Sequence, residues 1–142
     1  MNNNKTNPAI IHATLAIGST AAAPYYDINI TQNLCQCACA DEQPVFKPAF
    51  SVLGVEHVGT NQHLVYVHVE GVVAYVPCGC GTCCTKSQII SQDFTIPVYS
   101  ATDFTAEITA GASRNYIVKN ACNQCSKTFE SDTPITLTIT TA

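Results

Sequence analysis

"HLVYVHVEGVVAYV" (63–76) decides the fold. In an extended chain Val65, Val67, Val69 and Val73 fall on one face, and Tyr66, His68 and Glu70 on the other. Side chains alternate across a strand, so a period of two with one apolar face reads as a half-buried strand. Outward from this stretch the same period recurs. "DINI" (27–30) alternates Ile28 and Ile30, "DFTIPVY" (93–99) alternates Phe94, Ile96 and Val98, and "ITLTITT" (135–141) alternates Ile135, Leu137 and Ile139. Segments 8–17, 46–58, 104–110 and 114–119 are weaker candidates of the same kind. Within 46–58 the alternation changes phase at Gly54, which predicts a bulge. Pro44, Pro48, Pro77, Pro97 and Pro134 are expected at strand ends or on edges, because proline cannot donate to a ladder.

No window shows apolar residues at i, i+3, i+4 and i+7, the helical signature. About seven or eight short strands separated by turns imply an all-β protein. We expect a single β-sandwich of jelly-roll or immunoglobulin-like topology over residues 25–142. Residues 1–24 differ: they are apolar and Ala-rich, with few turn signals. They read as an N-terminal arm that docks on the exposed edge of a neighbouring subunit by strand addition, or as the first strand of the chain's own sheet.

A chain of 142 residues suits one domain with a real core, so it does not need disulfide staples to fold. Hydrophobic residues make up 46%, but charged residues only 11%, well below the usual ~25%. Little electrostatic repulsion then separates one copy from the next, which favours association. Net charge is −4, and the basic residues Lys5, Lys47, Lys86, Arg114, Lys119 and Lys127 are scattered. No basic patch suits a phosphate backbone, so nucleic acid is not an expected partner. No apolar run approaches the ~20 residues that a helix needs to span a bilayer. "MNNNK" followed by "PAIIHATLAIG" and "STAAAP" has the outline of a signal peptide, but its apolar run is short and interrupted by His12. We expect the segment to be retained.

Nine cysteines fall in three clusters: Cys35, Cys37 and Cys39; Cys78, Cys80, Cys83 and Cys84; Cys122 and Cys125. Three chemistries compete for them. Cys80 with Cys83 and Cys122 with Cys125 form two CxxC pairs that could hold zinc through four thiolates. Yet 38 residues lie between Cys83 and Cys122, against the usual ~15–20 of a zinc ribbon, and five cysteines are left over. Redox catalysis would need a CxxC opening a helix, where the helix terminus lowers the thiol pKa, and neither pair precedes a helical pattern. Disulfides remain. In "CQCAC" (35–39) the three thiols share one face of a strand. Neighbours at i and i+2 stand ~6.6 Å apart with parallel Cβ vectors, a poor geometry for bonding one another. Cys83 and Cys84 are adjacent and face opposite ways. Nine is odd, so full oxidation to disulfides requires at least one bond to leave the chain. Covalent links between subunits are therefore the leading expectation, with all nine cysteines as candidates. Ordinary intrachain stapling is the alternative.

Catalysis has little support. His12, His57, His63 and His68 form no HExxH pattern, and His63 and His68 fall on opposite faces of one strand. They read as surface or edge residues rather than ligands. The ten acidic residues form no catalytic pair or calcium loop, and Asp103 ("ATDFT") and Asp132 ("ESDTP") read as turn caps. There is no GxSxG and no P-loop. We expect neither an enzyme nor a cofactor. Tyr25, Tyr26, Tyr66, Tyr75, Tyr99 and Tyr116 keep a second class open, a phage or cell-surface sandwich that binds a glycan or a protein.

A sandwich behind an N-terminal arm, with low charge and clustered cysteines, resembles the subunits of bacterial endospore appendages and the Cys-rich coat or exosporium proteins of Firmicutes. The resemblance implies jelly-roll subunits stacked by sheet augmentation, with cysteines in N-terminal connectors bonding neighbouring subunits. Here the first cysteine is Cys35, so "LCQCAC" (34–39) takes the connector's place in that scheme. It further implies a homopolymer outside the cell or on the spore surface, reached without a cleaved signal peptide.

Overall fold

The computed structural model describes residues 8–16, 20, 23–78, 85–118 and 125–141, residue 125 by its backbone alone. The described residues form nine strands and no helix: β1 (Ile10–Leu15), β2 (Tyr25–Cys39), β3 (Val45–Phe46), β4 (Ala49–Gly59), β5 (Gln62–Tyr75), β6 (Lys86–Tyr99), β7 (Phe104–Ala110), β8 (Arg114–Ile117) and β9 (Cys125–Thr141). All pairings are antiparallel. One sheet runs β1-β2-β9-β7, with β8 also on β9; the other holds β5 between β6 and the pair β4 and β3. The two sheets share one core, so the chain is a β-sandwich.

β5 is the spine of the second sheet. It pairs with β6 from Gln62↔Tyr99 to Tyr75↔Lys86 without a slip. Val65, Val67, Val69 and Val73 are fully buried, as their alternation requires. Each buried valine contributes about 1.5–3 kcal/mol of transfer free energy. Its other neighbour changes along its length. β4 covers its first part and β3 its end, in line with one another and broken at Lys47–Pro48. Gly71 allows this break, because a Cβ there would stand 2.5 Å from the Phe46 ring. That ring is buried and meets Phe129 of the facing sheet edge-on, with centroids 5.4 Å apart. The register of β4 slips between Val52 and Gly54, the bulge expected from the sequence.

β9 is the matching spine of the first sheet. β8 and β7 follow one another along one side of it and β2 runs along the other. Pro134 lies inside this central strand, not at an end or an edge as expected. It falls in the gap where β7 and β8 part, where no ladder partner needs its N–H, and its carbonyl accepts from the Gly111 amide at 2.8 Å. Asp132 likewise sits mid-strand rather than in a turn, accepting a hydrogen bond from Asn29 Nδ2 at 2.9 Å.

Residues 10–15 of the leading segment form β1 and pair with β2, from Ile10↔Thr31 to Leu15↔Tyr26. The Gln92 side chain of β6 clips its start, accepting from the Ala9 amide at 2.8 Å and donating to the Ala9 carbonyl at 2.6 Å. β1 and β6, the edges of the two sheets, are thereby joined.

Candidate functional site

Cys78 and the backbone of Cys125, the described members of two cysteine clusters, meet the third cluster at one end of the sandwich, and β2 brings it there. Through Asn33 this strand pairs regularly with β9; the ladder resumes only at Ala38↔Ser126, with three extra residues on the β2 side. Antiparallel partners keep a constant sum of positions, which here rises from 161 to 164. The intervening stretch lifts away from β9 and reaches the other sheet. Ala38 bridges to Pro77, just past β5, the Cys39 amide donates to the Val76 carbonyl at 2.8 Å, and the Cys78 amide donates to the Cys37 carbonyl at 2.9 Å. Cys39 also stands opposite Cys125 at the start of β9. One residue of each of the other two clusters, Cys78 and Cys125, is therefore stitched to β2 by backbone pairing, and the two sheets are closed on one another at this pole.

A lifted strand leaves polar groups to satisfy, and buried side chains do so. Gln88 of β6 accepts from the Cys35 amide at 2.9 Å and donates to the Asn33 carbonyl at 2.9 Å. Gln32 donates to the same carbonyl at 3.0 Å. Both glutamines are buried. Tyr75, the last residue of β5, is buried beside them. Burial foremost pushes its phenol pKa up; a hydrogen bond with the Gln36 backbone opposes this, and the neighbouring Cys35 thiol adds to it.

The inward positions of β2 are Ile28, Ile30, Gln32, Leu34 and Ala38. Cys35, Cys37 and Cys39 take the opposite parity, with Cys35 exposed and the other two half-buried. All three are free thiols. Cys78 is disulfide-bonded. Cys80, Cys83, Cys84 and Cys122 lie outside the described residues, so the four-thiolate zinc set Cys80, Cys83, Cys122 and Cys125 is represented only by the backbone of Cys125. Toward the same pole Val72 and Ile89, directly paired across β5 and β6, remain 50% and 65% exposed. Large apolar side chains in contact and open to water are a candidate contact surface.

The opposite end of β5 holds a second cluster that the sequence reading did not assemble. Asn61 adopts the left-handed region, φ 57°, in the turn between β4 and β5, and asparagine tolerates it well. That hairpin sets His57 opposite His63. The imidazoles stack with centroids 4.5 Å apart and an interplanar angle of 15°. Ser100, past the end of β6, donates its amide to the Asn61 carbonyl at 2.9 Å and so holds the next turn against the hairpin. This places Asp103 Oδ1 at 3.3 Å from His63 Nε2 and 3.6 Å from His57 Nδ1. His63 is 2% exposed, not a surface or edge residue as expected, and Asp103 meets two imidazoles rather than only capping a turn. The signal was in "HVGTNQH" (57–63): a tight turn centred on Thr60-Asn61 sets its two histidines across from each other.

A third polar group lies on the outer face of β5 and β6. His68 Nδ1 is 2.6 Å from Asp93 and its Nε2 is 3.2 Å from Glu70. The hydrogen bond to Asp93, then that to Glu70, raises the His68 pKa. On the outer face of the first sheet, desolvation and then the neighbouring Asp132 raise the Asp27 pKa.

Among the described residues no helix is long and apolar enough to cross a membrane. No protein-family model, curated protein or solved structure matches the chain.

Proposed function

We propose that the protein is a structural subunit that assembles with copies of itself and is locked by interchain disulfides. On this reading it belongs to an extracellular filament or a spore-surface layer. The observation that carries the proposal is the row of free thiols at Cys35, Cys37 and Cys39, facing outward where the two sheets are fastened together. A strand cannot easily bond its own i and i+2 thiols, so their partners belong to another segment or another chain. The backbone beneath them is fixed by Gln88 and by the bridge to Pro77, so a bond formed there transmits load to both sheets.

Low charge and the exposed Val72–Ile89 pair favour contact between copies before any bond forms. Oxidation then converts reversible association into a kinetically permanent one. The disulfide at Cys78 serves the individual subunit in this scheme. Electrophoresis of oxidised protein with and without reductant tests the proposal. A ladder that collapses to monomer on reduction supports it; a monomer under both conditions refutes it.

A further inference from the structure

We propose that His57, His63 and Asp103 form a binding site for one divalent transition-metal ion of the zinc type. One ligand atom from each residue lies within 4.8 Å of the others, with separations of 3.3 and 3.6 Å from the shared Asp103 oxygen. Bonds of about 2.0–2.2 Å in a tetrahedral zinc site place ligand atoms about 3.3 Å apart, which the two separations from Asp103 approach; because the imidazoles stack at 15°, the exposed His57 ring must turn for both lone pairs to meet one ion. Two imidazoles and one carboxylate form a donor set of intermediate softness, suited to such metals rather than to calcium or magnesium.

The arrangement is held from several sides. His63 stands on the central strand of its sheet, between the His57 ring and the Phe104 ring, whose centroid is 4.8 Å away. The hairpin fixes His57, and the Ser100–Asn61 hydrogen bond fixes the turn that carries Asp103. An imidazole is costly at the His63 position whether or not an ion is bound, because the ion would take Nε2 and leave Nδ1 as it is. Buried His63 Nδ1 has no hydrogen-bond partner, a cost of about 1–3 kcal/mol that an apolar side chain would avoid. Its Nε2 is the atom turned toward the other two donors. The 3.6 Å separation of His57 from Asp103 is too long for a hydrogen bond, so the carboxylate does not simply tie the two rings together. His57 and Asp103 are mostly exposed, which leaves the remaining coordination positions open to water.

The test uses the full chain with its free thiols alkylated, so that cysteines cannot compete. Calorimetric titration with zinc chloride is expected to show one ion bound per chain. His57→Ala and Asp103→Asn alter exposed side chains, and each is expected to weaken binding at least tenfold while circular dichroism stays unchanged. Cobalt(II) is expected to give the absorption of a nitrogen and oxygen site without a thiolate charge-transfer band. The inference is overturned if alkylated protein binds no zinc saturably, or if both variants bind as the parent does. Either result leaves the assembly proposal untouched, because the thiols are blocked throughout.

Discussion

The two ends of the sandwich show the same backbone alternation with opposite results, on β5 at one end and on β2 at the other. From His63 to Tyr75 β5 is about 40 Å long, with a histidine cluster at one end and the cysteine segments at the other. His63 takes the inward parity, and its partners His57 and Asp103 come from the same chain. Cys35, Cys37 and Cys39 take the outward parity on β2, and all three are free thiols without a bonding partner among the described residues. A reactive side chain on the core-facing side of a sandwich can meet only what the fold itself provides. On the outer side it is left for something else. Parity, more than residue type, separates the histidine cluster from the thiols proposed to act between chains.

The largest effect is expected from changing Cys35, Cys37 and Cys39 together to serine. The covalent ladder on non-reducing gels should disappear, while the unfolding free energy from urea titration changes by no more than about 1.5 kcal/mol, about 0.5 kcal/mol for each of three substitutions outside the core. A ladder that survives would move the intermolecular chemistry away from β2. Next comes Gln88→Ala, which strips two hydrogen bonds from the lifted part of β2. Leaving the Cys35 amide and the Asn33 carbonyl without this partner should cost about 2 kcal/mol in urea unfolding and speed alkylation of Cys35. The stacked histidines at the far end should be unaffected.

His63→Leu sharpens the contrast from the other side. It removes an imidazole with an unsatisfied buried nitrogen, and Asp103 stays solvated, so stability should change by less than about 1 kcal/mol. Zinc binding should be lost while the disulfide ladder persists. The smallest effect concerns His68, between the two ends on the outer face. Its pKa is raised in the folded state, so the folded protein holds this proton more tightly than the unfolded chain does. The contribution is full below about pH 6, under the unfolded imidazole value, and is lost as the pH rises through the raised value. Urea midpoints measured across this window should show the loss in the parent and a flatter profile in Asp93→Asn.

Much of the architecture was legible because period-two alternation is a direct imprint of burial. Val65, Val67, Val69 and Val73 announced the inner face of β5, and the phase change at Gly54 announced its bulge. Other features needed contacts that one strand cannot show. The first part of β6, "KSQIISQ" (86–92), hides inward glutamines among polar residues, and Gln88 is buried because β2 needs its amide. Pro134 reads as a strand end until Gly111 across from it is taken into account. The cysteine clusters were visible as clusters, but the approach of Cys78 and Cys125 to β2 depends on the three extra residues in that strand. The histidine cluster escaped because Asp103 reaches it through a turn held by a single backbone hydrogen bond.

The central claim is that the outward thiols of β2 join one chain to the next. Equal amounts of unlabelled and uniformly nitrogen-15-labelled protein, mixed under reducing conditions and then oxidised, test it most directly by mass spectrometry of disulfide-linked peptides. The account expects peptides containing Cys35, Cys37 or Cys39 in linked pairs that combine one light and one heavy partner. Linked pairs of uniform isotope composition alone, or recovery of these cysteines wholly as free thiols after oxidation, would contradict it.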